Sequence, residues 1–191
     1  MTMAAFAIVV AALAVGSVVV LVIRAWLEMR GTRLVTCPET TQPVGVELDL
    51  GHVVLSAAGG DPEYRLRDCT RWPEKKDCAQ LCLSQIESAP HDCLVREVLG
   101  RWYEHKSCAL CGRSIAPVHW HDHKPALQTP DGRIREWGDV PVPALPGTLA
   151  AGRPVCWSCM IAEEFRHDHP DLAIDRPRPP RPHAHGPQPH P

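Results

Sequence analysis

The sequence predicts an α+β protein in which an apolar N-terminal helix precedes a small cysteine-rich domain, and three observations carry that expectation. Met3 to Ile23 is a run of 21 residues without a charged side chain, long enough at about 1.5 Å per residue to cross a hydrocarbon core of about 30 Å. Beyond it, a stretch of alternating apolar residues gives way to apolar residues at helical spacing. All nine cysteines lie in that second part of a 191-residue chain, which is too short for more than one modest domain or two very small ones.

The first element is a membrane anchor. No Lys or Arg precedes Arg24, whereas a cleaved signal peptide carries a basic segment ahead of a shorter apolar run. Arg24, Arg30 and Arg33 follow the apolar run, and the positive-inside bias then places the rest of the chain in the cytoplasm as a single-pass protein with reduced thiols. Residues 1–33 form this anchor and its basic flank. The next region, 34–106, opens with short strands: Val44, Val46, Leu48 and Leu50 alternate with other residues, and Val53 to Leu55 follows Gly51. Gly59, Gly60, Asp61 and Pro62 make a turn. Asp77 caps a helix through Leu81, Leu83 and Ile86 that stops near Pro90, and a second helix carries Leu94, Val95, Val98, Leu99, Trp102 and Tyr103. Region 107–170 contains a cysteine knuckle, a hairpin around Pro130, Asp131 and Gly132, a Pro-rich connector from Val140 to Pro154, and a final helix to about His169. The tail, 171–191, is rich in Pro and His and too poor in apolar residues to fold. Its His183, His185 and His190 are read as part of a spacer.

The sharpest motif is Cys108-Ala-Leu-Cys111-Gly112, answered 44 residues later by Cys156-Trp-Ser-Cys159. Two residues between thiolates let both sulfurs reach one ion about 2.3 Å away, and two such pairs complete a closed tetrahedron suited to Zn²⁺. Gly112 permits the tight turn after the first pair. Pro154 and the spacing of Trp157, Ile161 and Phe165 put the second pair at a helix start, where the helix dipole favours thiolate. From Ser107 to His169 the order of knuckle, hairpin and ligand-bearing helix resembles the treble-clef zinc finger, and that resemblance implies a zinc-stabilised module. A site with four thiolates leaves no position open for substrate, so the zinc is structural. An iron-sulfur cluster could use the same ligands. A dithiol switch at either pair is disfavoured because neither follows the strand of a thioredoxin-like unit.

Between the pairs lies His119-Trp120-His121-Asp122-His123-Lys124-Pro125. In a strand, His119, His121 and His123 would share one face. The segment from Asp122 to Leu127 resembles the HNH nuclease variant of the treble clef, which implies a metal contact at Asp122 and a general base at His123. The match is partial: the chain has no Asn, and Met160 directly follows Cys159. The formal charge of -2 also disfavours a nucleic-acid partner gripped by bulk electrostatics.

Upstream, Cys78 and Cys82 are four apart in an expected helix, hence on one face. Cys69 lies close before them, and Cys37-Pro38-Glu39-Thr40 looks like a knuckle with a single cysteine. The preferred second metal set is Cys37, Cys69, Cys78 and Cys82, with Cys93 as a buried thiol; the alternative set exchanges Cys37 for Cys93. The run from Cys69 through Trp72-Pro73, Cys78, Cys82 and Cys93-Leu94-Val95-Arg96 into Trp102-Tyr103 is similar to single-pass bacterial membrane proteins of uncharacterised activity, which implies a family and no reaction. The sequence therefore points to a membrane-anchored, zinc-binding module that binds or assembles with a protein partner. A metal-dependent hydrolase using Asp122 and His123, or a thiol-based redox or metal sensor, is the competing expectation.

Overall fold

A computed structural model describes residues 3–58, 60–75 and 77–172; the expected tail falls largely outside the described residues. Helix α1 spans Met3–Met29. Its segment Phe6–Arg24 is 0% buried against the rest of the protein, so the helix is long and apolar enough to cross a membrane, a property that a signal sequence near an N-terminus shares. Arg33 departs from the expected basic flank, being 0% exposed. Its Nη2 donates to the Met29 carbonyl at 2.7 Å and its Nη1 to that of Gly31 at 3.3 Å, which satisfies carbonyls that the end of α1 leaves open.

Strands β1 (Arg33–Thr36), β2 (Pro43–Leu48) and β3 (Leu66–Cys69) form an antiparallel sheet in the order β1-β2-β3. Val44, Val46 and Leu48 supply one face, as their alternation predicts, and pack with Val35, Leu66, Cys69, Cys82 and Ile86. The other face is covered too. A Cβ on Gly45 would come within 2.9 Å of the Val142 side chain, so glycine is what allows the 3₁₀ turn Val142–Ala144 to sit directly on β2.

Two expectations for this half are corrected. Leu50 to Leu55 is not a strand but the start of helix α2 (Leu50–Ala58). The Asp49 side chain accepts from the His52 N–H at 3.1 Å while its carbonyl takes the Val53 N–H at 3.0 Å, and this N-cap turns the apolar run into a helix that buries Val53. The helix expected from Asp77 is also shorter. Helix α3 is Leu83–Ser88 with Cys82 at its N-cap, because Gln80 has φ +52°, a left-handed conformation that interrupts a helix. Cys78 and Cys82 therefore do not share a helix face. Helix α4 (Val95–Tyr103) forms as expected and buries Leu99 and Tyr103.

In the C-terminal half, β4 (Ala126–Gln128) and β5 (Ile134–Arg135) are joined by the expected turn, in which the Thr129 N–H donates to the Arg133 carbonyl at 2.9 Å. The Pro-rich connector is more ordered than expected. It contains helix α5 (Leu145–Ala151) and strand β6 (Arg153–Val155), which pairs with β4 to give the order β5-β4-β6. Pro at the first turn of α5 costs no hydrogen bond, which is why a Pro-rich stretch can still be helical. Helix α6 (Trp157–Asp168) closes the described chain.

The halves touch through Tyr103. Its hydroxyl donates to the Ala126 carbonyl at 2.6 Å and accepts from Trp137 Nε1 at 2.9 Å. Trp102 lies edge-on to both rings and donates to the Leu149 carbonyl at 3.0 Å. These contacts hang the second sheet from α4.

Candidate metal centre

The knuckle forms because Cys108 and Arg113 face each other across a turn. The Cys108 N–H donates to the Arg113 carbonyl at 2.8 Å, and the Gly112 N–H donates to the Cys108 carbonyl at 2.9 Å. Gly112 has φ +76°, a conformation that glycine adopts without penalty. The Ala109 N–H donates to the Pro154 carbonyl at 2.7 Å, which ties this turn to β6. Two residues on, Cys156 occupies the N-cap of α6 with extended backbone, and Cys159 follows in the first helical turn.

This construction brings the four sulfurs of Cys108, Cys111, Cys156 and Cys159 to within 4.8 Å of one another. Cys111 and Cys156 are 3.7 Å apart at Sγ, and the Cys156 N–H donates to Cys108 Sγ at 3.3 Å. All nine cysteines of the chain are free thiols. Four sulfurs at this spacing match the donor set of a closed tetrahedral metal site, so the cluster is positioned to bind a metal ion.

Charge within the cluster is uneven. Burial of Cys108 works against its thiolate, but the backbone N–H groups of Cys156, Cys111 and Leu110 outweigh it and hold the thiol below its ordinary value. Cys111 also loses some hydration, yet the Arg113 side chain and backbone bring it down to about 6. Burial and the neighbouring sulfurs push Cys156 and Cys159 the other way. Four thiolates this close repel one another, and a divalent cation removes that repulsion. Arg113, beside Cys111, is a functional neighbour that the spacing of cysteines does not reveal.

The histidine segment is placed differently from its expected strand. His119 to His123 form a tight turn in which the His123 N–H donates to the His119 carbonyl at 3.1 Å. His119, His121, Asp122 and His123 are exposed, and the described residues group no metal-ligating side chains there. Within the turn Trp120 packs inward with Leu127 and Leu145, while His123 stands edge-on to Trp157 at 4.6 Å. Beside the knuckle, an open cleft of about 800 Å³ has Leu110, Ile134 and Met160 among its apolar lining and Arg133, Glu163 and His167 among its polar lining.

Of the upstream cysteines, Cys69 and Cys82 are buried in the cluster under the first sheet, and Cys37 and Cys93 pack against it. Cys37 Sγ accepts from Arg71 Nη1 at 2.9 Å. Cys93 instead faces Arg33 and the Pro90 carbonyl. None of the family models, curated proteins or solved structures compared with this chain matches it.

Proposed function

We propose that this protein is a membrane-anchored binding or assembly module whose C-terminal part is folded around a structural zinc ion held by Cys108, Cys111, Cys156 and Cys159. The observation that carries the reading is the convergence of two distant Cys-x-x-Cys pairs within 4.8 Å. Four soft sulfur donors in a closed set favour zinc over harder cations and leave no site for a substrate. The treble-clef reading is supported by the succession of knuckle, β4–β5 hairpin and ligand-bearing α6.

The need for metal follows from the size of the core. Among the described residues, the cluster around the sulfurs buries Cys108, Ala126, Val155 and Met160, with Leu110, Ile115, Ile134 and Trp157 partly buried against it, and structural zinc contributes on the order of 10 kcal/mol to the folding of small domains. The open cleft beside the knuckle suits a partner with a mixed apolar and charged surface. Anchorage is supported by α2, whose Leu50, Val54 and Leu55 line an open apolar cleft together with Val22, Ile23 and Trp26 of α1. Leu55 is 77% exposed, a position consistent with contact to lipid. Arg24 and Arg30 remain exposed at the end of the span and favour a cytoplasmic domain.

Elemental analysis of the full chain in detergent tests the metal, and thermal melting tests its role. Zinc is expected in the purified protein, and Cys108→Ser is expected to lose it and lower the melting temperature of the C-terminal half. A Cys108→Ser chain with unchanged zinc and unchanged melting would defeat the closed-site reading.

A further inference from the structure

The turn at Cys37 repeats the knuckle at Cys108 in its backbone. The Cys37 N–H donates to the Gln42 carbonyl at 2.9 Å and the Thr41 N–H to the Cys37 carbonyl at 2.8 Å, matching the bonds from Cys108 to Arg113 and from Gly112 to Cys108. Thr41, at φ +56°, holds the left-handed position that Gly112 holds at φ +76°. The Cys37 sulfur faces the N–H groups of Glu39 and Thr40, two and three residues on. The Cys108 sulfur faces those of Leu110 and Cys111 in the same way. Thr40 stands where Cys111 stands in the other turn, and its side chain bonds the Cys37 sulfur. A threonine held in left-handed backbone is strained, and here that strain preserves a turn that presents a sulfur.

A knuckle with one cysteine needs its remaining ligands from elsewhere, and the fold brings three. Cys69 ends β3 with its sulfur facing the Arg71 N–H, while the Arg71 guanidinium holds Cys37. One residue thus serves both sulfurs. Cys82, at the N-cap of α3, shares the buried cluster with Cys69, and Cys37 packs against that cluster. Cys37, Cys69 and Cys78 each lie within electrostatic reach of Cys82. Cys93 packs against the same cluster, but its sulfur faces Arg33 and the Pro90 carbonyl, so Cys78 is taken as the fourth ligand.

We propose that Cys37, Cys69, Cys78 and Cys82 form a second metal centre that takes a thiophilic divalent cation of the zinc class. The proposal extends the metal-binding reading and depends on it only for the comparison of the two knuckles. Among the described residues, the C-terminal group alone brings its ligand atoms within 4.8 Å of one another, so the second centre requires the N-terminal sulfurs to draw together when the ion binds. Cys78 lies outside regular structure, between β3 and α3, so no helix or strand fixes its backbone against such an approach. Binding converts four thiols to metal-bound thiolates and releases their protons to the buffer. Arg71 offsets part of the negative charge that remains, as Arg113 does at Cys111.

The test counts thiolate-bound ions on the full chain in detergent, by elemental analysis for zinc and by thiolate-to-cobalt absorption after exchange to Co²⁺. The wild-type chain is expected to hold two ions. Cys37→Ser with Cys78→Ser is expected to hold one, and Cys93→Ser two. Both residues of that pair are only partly buried, so the apolar cluster under the sheet survives the change. In a Cys78→Ser chain, Thr40→Cys completes a Cys-x-x-Cys knuckle and is expected to restore the second ion. A wild-type chain with one ion, lost on replacing Cys111 and Cys159 but kept in the Cys37 and Cys78 variant, would overturn the proposal. An ion lost only in the Cys37 and Cys78 variant would uphold it and refute the C-terminal site instead.

Discussion

The turn at Cys37 opens a region whose buried cluster has six aliphatic members, Val35, Val44, Val46, Leu48, Leu66 and Ile86, beside Cys69 and Cys82. The turn at Cys108 opens one in which, among the described residues, the cluster around the sulfur buries Ala126, Val155 and Met160. Both use the same backbone device, but they stand on different amounts of apolar surface. Burial contributes on the order of 25 cal/mol per Å², so the first turn rests on more apolar surface than the second, although Leu127, Val140 and Leu145 build a further cluster in the C-terminal half. The difference teaches that a cysteine turn is a local structure that forms on either amount of apolar surface.

Metal removal tests this contrast most strongly. Chelation of the zinc-loaded chain is expected to unfold α6 and the second sheet, with a loss on the order of 10 kcal/mol. The first sheet should retain slow amide exchange under the same conditions, and hydrogen exchange resolved by region measures both. Equal loss of protection in the two halves would mean that the apolar cluster under β1–β3 is not self-sufficient.

Truncation of that cluster is the converse experiment. Ile86 is 0% exposed, and Ile86→Ala is expected to destabilise the N-terminal region by about 2–5 kcal/mol through the cavity it leaves. Denaturant melting followed at the Trp residues, with zinc held in excess, reads the change.

Tyr103 sharpens the comparison by joining the regions. Tyr103→Phe removes the bond to the Ala126 carbonyl and leaves Trp137 Nε1 without its acceptor. A loss of about 1–3 kcal/mol follows, and the melting of the two halves should separate. Tryptophan emission should change as well, because Trp102 and Trp137 pack on that ring.

The smallest effects have opposite signs. No neighbouring atom comes within 4 Å of a Cβ placed on Gly112, so Gly112→Thr costs only the left-handed backbone, about 1–2 kcal/mol. Thr41→Gly removes the same strain and is expected to stabilise its turn by up to about 1 kcal/mol, net of the added freedom of the unfolded chain. Melting of the two variants under one set of conditions compares the turns directly.

Much of the C-terminal site was legible because its signals are local. Cys-x-x-Cys-Gly specifies a knuckle through the reach of two sulfurs and the freedom of one glycine, and Pro154 and Trp157 mark the helix that carries the second pair. The N-terminal cysteines were harder to read. They are scattered, and the regular helix expected to align Cys78 with Cys82 is broken at Gln80. Leu50 to Leu55 was equally ambiguous, since a short apolar run reads as a strand or a helix until Asp49 is seen to cap it. The histidines looked like a ligand strand by alternation alone. They form a turn instead, with Trp120 packed inward.

What the sequence determined by itself was what short-range chemistry dictates: an apolar span without charge, two cysteine pairs at chelating distance along the chain, a hairpin at Pro130-Asp131-Gly132, and helices at α4 and α6. Tertiary structure alone decided that Arg33 is buried against the end of α1, that Arg71 and Arg113 attend sulfurs, and that Cys37 and Cys93 both pack against the cluster that holds Cys69 and Cys82. Those outcomes depend on which distant surfaces exclude water together. Neither the spacing nor the type of a residue encodes that until the sheet and helices have packed.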